Sequence, residues 1–256
     1  NLTKPDRIEM GEILTSPIDV ALKRIFGEDI PGGTSGPGGW SAHKMLQTCP
    51  YLYLMNYEVE GREDVIKRPS QALEIGILFH LLLAFKYEAI KDTEIKKEPF
   101  STETREWIRS SLLNERVSGE VVNEAFRLLT YYEARYDGED LVPLDIEKKH
   151  TTPDGISCRF DLIAKVNGQT WIVEHKSSSR NDFGSREGWR NDGGILTQLY
   201  VWEKLGLDAT YGELQGVLVN VITKVQTPEL FRVPVAKITS RLNQHLEDMR
   251  FTGAER

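Results

Sequence analysis

Residues 155–179, GISCRFDLIAKVNGQTWIVEHKSSS, bring two carboxylates and a lysine together in a predicted β-hairpin. The Asn-Gly pair at 167–168 favours a two-residue type I′ turn, and a symmetric loop there sets Asp161 directly opposite Glu174. Because side chains alternate along a strand, Asp161, Glu174 and Lys176 are expected on one face. Opposed carboxylates repel each other, whereas carboxylate oxygens are good ligands for a hard divalent cation. The hairpin therefore predicts a metal site with a lysine at its edge.

The same residues also have an ordinary explanation. Charged side chains are common on the solvated face of a hairpin, and an isolated Glu-x-Lys triplet is usually no more than that. The same register sets Arg159 opposite Lys176, where it would contact a phosphate or pair with an acidic neighbour. The hairpin alone leaves both interpretations open.

Composition limits what the chain can be. It has 256 residues, of which 39% are hydrophobic and 28% charged, as in an ordinary globular protein. Its longest apolar run, residues 75–85, is shorter than the about 20 residues that span a bilayer, so no membrane segment is expected. With two cysteines, we expect neither a disulfide framework nor an iron–sulfur cluster, and reduced thiols favour the cytoplasm. The net charge of −7 argues against non-specific coating of nucleic acid, but it permits a local basic groove.

The elements that must position these residues follow from periodicity and turn signals. A Gly/Pro-rich connector at 27–39 follows a short predicted helix at 16–26. Further helices are predicted over 42–58 with Ser41 as its cap, 70–90, 119–135, 195–206 and up to about Arg250, with another helix start at Ser101 or Thr102. Strands are predicted over 144–150, 215–223 and 230–235, beside the hairpin. The core order is therefore helix, three antiparallel strands, crossover helix and strand.

His80 lies in a segment, EIGILFHLLLAF, that is apolar on nearly every side and should form a buried helix. A buried imidazole must find a hydrogen-bond partner or a ligand. Gly76 lies one turn earlier on the same face, which leaves room for another backbone or a substrate to approach. Because a histidine in a core helix is often structural, His80 alone does not decide between these roles.

Four motifs together resemble the PD-(D/E)XK nuclease superfamily. They are GILFH (76–80), GISCRFD (155–161), EHK (174–176) and QLYVW (198–202). In order and spacing they are similar to the G-x-x-x-H, G-…-D, (D/E)-x-K and Q-x-x-x-Y motifs of its RecB-type exonuclease branch. The segment SAHKMLQTCPYLYLMNYE (41–58) is similar to the N-terminal helix of that branch.

The resemblance implies an α/β, restriction-endonuclease-like fold. Its αβββαβ core has a central mixed sheet flanked by helices, together with an N-terminal helical part. The implied division is an N-terminal arm and connector over residues 1–40, followed by a nuclease domain over 41–256.

The resemblance also implies roles for individual residues. His80, Asp161 and Glu174 would ligate Mg²⁺ or Mn²⁺, with the backbone carbonyl of His175 as a further ligand. An imidazole among oxygen ligands suits Mn²⁺ better than Mg²⁺. Lys176 would position or activate the attacking water and stabilise charge on the scissile phosphate, completing a catalytic set with Asp161 and Glu174.

The implied function is metal-dependent hydrolysis of DNA by an exonuclease in recombination, repair or phage DNA processing. The expected partners are single- or double-stranded DNA and a protein of a recombination or repair complex. Two alternatives stay open: a manganese-dependent RNA endonuclease of the same superfamily, and a non-catalytic nucleic-acid-binding or regulatory module on the nuclease fold.

Substrate contacts are expected mainly beyond the hairpin. Gln198 matches its motif, whereas Trp202 stands where the family has tyrosine and lacks the phenolic hydroxyl. The arginine-containing loop at 177–194 is long enough to be functional, although a solvated loop is its ordinary explanation. The candidate substrate-binding residues are Gln198, Arg159, Ser177, Arg180, Arg186, Arg190 and Trp202.

Overall fold

The computed structural model describes residues 38–54, 70–92, 100–115, 117–178 and 186–237. The helices are α1 (Trp40–Thr48), α2 (Pro50–Tyr53), α3 (Gln71–Asp92), α4 (Thr102–Asn114), α5 (Gly119–Tyr136), α6 (Arg186–Arg190), α7 (Gly193–Leu205) and α8 (Asp208–Tyr211). The strands are β1 (Leu141–Thr151), β2 (Ser157–Val166), β3 (Gln169–Ser178), β4 (Leu214–Thr223) and β5 (Leu230–Ala236). The predicted helices at 16–26 and after residue 236, and most of the connector, lie outside the described residues.

The described strands form one mixed sheet in the order β1-β2-β3-β4-β5. Neighbouring strands are antiparallel except for β3 and β4, which are parallel and are joined through α7. A parallel pair needs such a crossover connection. The predicted αβββαβ core, with its mixed sheet and flanking helices, is therefore confirmed.

The hairpin turn has the conformation that its sequence predicts. Asn167 and Gly168 have φ angles of 51° and 76°, as a type I′ turn requires. The paired register runs from Val166–Gln169 to Leu162–Val173, and each pair keeps the predicted alignment.

Two segments differ most from the sequence predictions. The helix expected over 42–58 begins at Trp40 with Gly39 as its cap, rather than Ser41, and it is interrupted at Cys49. The interruption arises because Pro50 has no N–H group and starts a new helical turn as α2. The loop expected over 177–194 is shorter, since β3 continues to Ser178 and α6 lies inside the remainder.

A separate hydrophobic core covers each face of the sheet. On one face, α3 and α5 pack on residues that include Leu162, Ala164 and Val173. On the other face, α7 packs on residues that include Phe160 and Ile163. In a regular strand, residues an odd number of positions apart point to opposite faces. Phe160 and Ile163 are three positions apart but share a face, so the alternation of β2 is broken at Asp161 or Leu162.

Local signals fix the position of α7. The Asp192 side chain caps its first turn by accepting from the backbone N–H groups of Gly194 and Ile195 at 2.9 and 3.1 Å. Gly206 ends the helix with a left-handed φ of 60°. At the start of α7, a Cβ atom on Gly193 would overlap the Trp40 ring, so glycine lets α1 pack directly on α7.

Within the described ranges, each helix is too short or too polar to cross a lipid bilayer.

Candidate active site

The candidate site lies where β2 and β3 separate. The paired register ends at Leu162–Val173, so Asp161 and Glu174 lie just beyond the last pair, and the predicted Asp161–Glu174 pair is not part of the ladder. Oδ2 of Asp161 instead accepts a 2.8 Å hydrogen bond from the backbone N–H of His175.

His80 of α3 lies next to Asp161 of β2. Its Nδ1 is 3.4 Å from Oδ2 of Asp161, and the two side chains are 18% and 12% exposed. Burial disfavours the imidazolium, but the Asp161 carboxylate outweighs this effect and raises the pKa of His80 to about 9. Burial would raise the pKa of Asp161, yet the neighbouring His80 holds it well below its usual range. Without a cation, these two residues form an ion pair.

Glu174 of β3 is held by two donors. The Lys176 ammonium donates to Oε1 of Glu174, and the Gln198 side-chain amide of α7 donates to Oε2 at 2.6 Å. Burial, together with the Asp161 carboxylate, raises the pKa of Glu174. Burial disfavours the Lys176 ammonium, but Glu174 outweighs this and raises the pKa of Lys176. Lys176 therefore carries a positive charge at neutral pH.

Glu147 of β1 is a site residue that sequence reasoning missed. One potential ligand atom from each of His80, Glu147 and Asp161 lies within 4.8 Å of the other two. In the sequence, Glu147 belongs to the ordinary charged stretch Glu-Lys-Lys. Its alignment with Asp161 depends on the β1–β2 register. The sequence predicts that register less clearly than the register of the next hairpin, which has the Asn-Gly turn.

The His175 side chain faces the core rather than the gap between the strands. It is 2% exposed, stacks on Tyr87 and meets Tyr132 edge-on. Burial lowers the pKa of His175 to about 3, so the imidazole is neutral. The predicted role of His175 as a ligand concerns only its backbone carbonyl.

Ser177 and Gly76 mark a close contact between α3 and β3. A Cβ atom on Gly76 would lie 3.1 Å from Oγ of Ser177, so the predicted close approach at Gly76 is made by the protein itself. The Ser177 hydroxyl also accepts from the Lys224 ammonium at 3.4 Å. Substrate binding by Ser177 remains a prediction.

Two candidate substrate residues have other positions than expected. Arg159 pairs with Lys149 of β1, not opposite Lys176, and its guanidinium donates to the backbone oxygen of Glu147 at 2.9 Å. Trp202 is completely buried in the core beneath α7, and its indole N–H donates to Asp208 at 2.7 Å. The helix α7 directs this position into the core, which does not favour contact with a substrate, and substrate binding by Trp202 stays a prediction.

The remaining candidate substrate-binding residues lie at different distances from the site along the chain, and one of them is outside the described residues. Gln198 is 5% exposed and its side-chain amide is directed to Glu174, so it acts on a carboxylate of the site. Arg190 is half-buried at the end of α6, and Arg186 begins the same helix. Arg180 lies outside the described residues.

The chemistry available to the site follows from these groups. A carboxylate and an imidazole nitrogen within reach of one point can hold a divalent cation. A positively charged lysine beside a second carboxylate can stabilise an anion that develops next to that cation. This combination suits hydrolysis of a phosphate ester.

The match to one protein family agrees with this chemistry. The sequence model of the PD-(D/E)XK nuclease superfamily matches residues 40–251. No curated protein sequence matches the chain. A structure described as that of a candidate exonuclease from Eubacterium rectale is 14% identical, with a TM-score of 0.47, over 84% of this chain and 77% of that one. The structure of SSO0001 is 11% identical, with a TM-score of 0.31, over 80% of this chain and 87% of that one.

Proposed function

This chain belongs to the PD-(D/E)XK nuclease superfamily, and on that basis we propose that it is a metal-dependent deoxyribonuclease of the RecB type that acts on DNA ends. One observation carries the proposal. The His80–Asp161 pair and the Glu174–Lys176 pair meet where β2 and β3 separate. An imidazole, two carboxylates and an ammonium group are the set that the four sequence motifs predict.

Nucleases of this superfamily use divalent metal ions, and the residues present fit such an ion. His80 and Asp161 offer a nitrogen and an oxygen 3.4 Å apart, close to the spacing of adjacent ligands on one ion. Glu174 and the backbone carbonyl of His175 complete the proposed ligand set. When bound, Mg²⁺ or Mn²⁺ would acidify a water molecule and neutralise charge on the phosphate.

Lys176 would act as a fixed positive charge rather than as a base. Its pKa is raised by Glu174, so it keeps its proton throughout the neutral range. An ammonium group in this state can orient the attacking water or stabilise the phosphorane, but it cannot remove a proton. Glu174, held by Lys176 and by Gln198, would keep the ammonium in place.

Substrate recognition would be local, because the whole chain carries a net charge of −7. The segment after β3 leads directly from Lys176 to Arg180, Arg186 and Arg190. These side chains would contact backbone phosphates beside the scissile bond. A role within a recombination, repair or phage DNA-processing complex fits a nuclease that acts on DNA ends.

The test is cleavage of end-labelled linear DNA and of closed circular DNA, each single- and double-stranded, and of RNA, with Mg²⁺ or Mn²⁺. We expect digestion of linear DNA only, no digestion in EDTA, and no digestion by Asp161→Ala. Equal cleavage of circular DNA would indicate an endonuclease, and cleavage of RNA alone would favour the RNA endonuclease. Nucleic-acid binding without cleavage would favour the non-catalytic module.

A further inference from the structure

The backbone of β1 is distorted at Glu147. The strand pairs regularly with β2 on both sides of this residue, through Ile146–Leu162 and Lys148–Phe160. Glu147 itself has a φ of 50°, in the left-handed region, which costs a residue with a Cβ atom about 1–2 kcal/mol. The β1–β2 register places this distorted residue opposite Asp161.

Arg159 holds the distortion in place. Its Nη1 donates a 2.9 Å hydrogen bond to the backbone oxygen of Glu147, across the two strands. A guanidinium bond to a strained peptide group offsets part of the conformational cost. The distortion therefore belongs to a defined contact within the sheet.

The side chain of Glu147 reaches the same point as His80 and Asp161. One ligand atom of each lies within 4.8 Å of the others, and Nδ1 of His80 is 3.4 Å from Oδ2 of Asp161. Ligands about 2.1–2.3 Å from one ion lie roughly 3 Å apart when adjacent and about 4.2–4.6 Å apart when opposite. The upper limit of 4.8 Å on the spacing of the three groups is close to the largest spacing that ligands of one ion have.

Glu174 has a different environment. Both of its oxygens accept hydrogen bonds from side chains, one from Lys176 and one from Gln198. Asp161 thus has a carboxylate on each side: Glu147 on β1, which joins the histidine cluster, and Glu174 on β3, which also accepts from the lysine.

We propose that Glu147 is a protein ligand of the divalent cation, beside His80 and Asp161. The proposal rests on the proposed function, because it requires that this site binds such a cation. It extends the ligand set onto β1, which none of the four sequence motifs includes.

The test is calorimetric titration of the metal-free full chain with Mn²⁺. Glu147→Gln keeps the size of the side chain and leaves the same left-handed backbone conformation to be adopted. Its free energy of unfolding in EDTA should therefore match that of the wild type. Its Mn²⁺ affinity should fall by at least about 10-fold, as for loss of an interaction at a metal site. Glu147→Asp keeps the charge but shortens the side chain, and it should also bind more weakly.

The matched control is Asp145→Asn, two residues earlier on β1. Asp145 pairs with Lys148 at 2.7 Å and lies outside the histidine cluster, so its loss should leave Mn²⁺ affinity within about threefold. An equal loss in Asp145→Asn would show that general charge, not ligation, is responsible, and would overturn the proposal. Near-wild-type binding by Glu147→Gln would also overturn it and leave the proposed function standing. Failure of the wild type to bind Mn²⁺ would overturn both.

Discussion

The backbone N–H of His175 on β3 donates a 2.8 Å hydrogen bond to the Asp161 carboxylate on β2. The paired register of the two strands has already ended at Leu162–Val173, so this backbone N–H bonds to a carboxylate instead of to a carbonyl of the neighbouring strand. Asp161 is therefore fixed by the main chain before any ligand binds. A group held in this way loses little further freedom on binding, which favours affinity and a defined geometry.

The His80–Asp161 pair makes the stability of the metal-free protein depend on pH. Burial disfavours the imidazolium, but Asp161 raises the pKa of His80 from 6.5 to about 9. The native state thus binds this proton more tightly than the unfolded state does. The contribution of the pair to stability is therefore complete below pH 6.5 and is lost as the pH rises through 9. The free energy of unfolding, measured with urea in EDTA, should be larger for the wild type than for His80→Gln at low pH. This difference should shrink by at most about 3 kcal/mol between pH 6.5 and 9.

His150 gives the control for this experiment. Burial lowers the pKa of His150, so its contribution has the opposite sign and is lost only as the pH falls below 6.5. His150→Gln should therefore lose as much unfolding free energy between pH 6.5 and 9 as the wild type does. A difference between wild type and His80→Gln that is constant with pH would contradict the ion pair.

Lys176 should be needed for turnover but not for metal binding. Lys176→Met should reduce the cleavage rate by about 10²-fold, as for loss of one electrostatic stabiliser, while Mn²⁺ affinity does not fall. Lys165→Met removes an exposed lysine from β2 and should cleave normally. Single-turnover cleavage and calorimetry measure the two effects separately, and wild-type rates in Lys176→Met would remove this residue from the mechanism.

Gln198 should affect kcat rather than KM. Its amide is buried and donates to Glu174 at 2.6 Å, so Gln198→Leu should release a carboxylate that the site holds in place. We expect a fall in kcat of about 10-fold with KM unchanged. Thr197→Val, a substitution of similar size one position earlier in α7, is the control. An increase in KM alone would instead support the substrate contact that the sequence predicts.

Trp202 should matter for stability only. Trp202→Phe removes the indole N–H that donates to Asp208 at 2.7 Å and leaves a small void in a fully buried position. The free energy of unfolding should fall by about 1–3 kcal/mol. KM for DNA should stay unchanged, and an increase in KM without a loss of stability would return Trp202 to the substrate-binding residues.

The arginines after β3 should determine the salt dependence of DNA binding. Replacing Arg180, Arg186 and Arg190 with glutamate should weaken binding and reduce the slope of log affinity against log salt by about one for each lost phosphate contact. Lys237→Glu, at the end of the described chain, is the control and should leave the slope unchanged. An unchanged slope in the triple variant would exclude this segment from the interface.

Local signals explain which parts of the fold the sequence predicts. Asn167 and Gly168 determine a turn by their own conformational preferences, and the turn determines the hairpin register. No turn or capping signal in the sequence marks the break in alternation at Asp161 or Leu162, or the left-handed Glu147, and both lie where contacts come from distant parts of the chain. Sequence reasoning therefore finds Asp161 as a site residue but not its contact with the backbone of His175 or its neighbour Glu147.

The contact between Gly193 and the Trp40 ring has a consequence for the smallest fragment that can fold. A chain shortened past Trp40 would uncover the beginning of the helix that carries Gln198. Even Gly38 is joined to the sheet, because its carbonyl accepts from the backbone N–H of Ser157 at 2.9 Å. We therefore expect a protease-resistant fragment that retains the active-site geometry to extend at least to Gly38 at its N-terminal end.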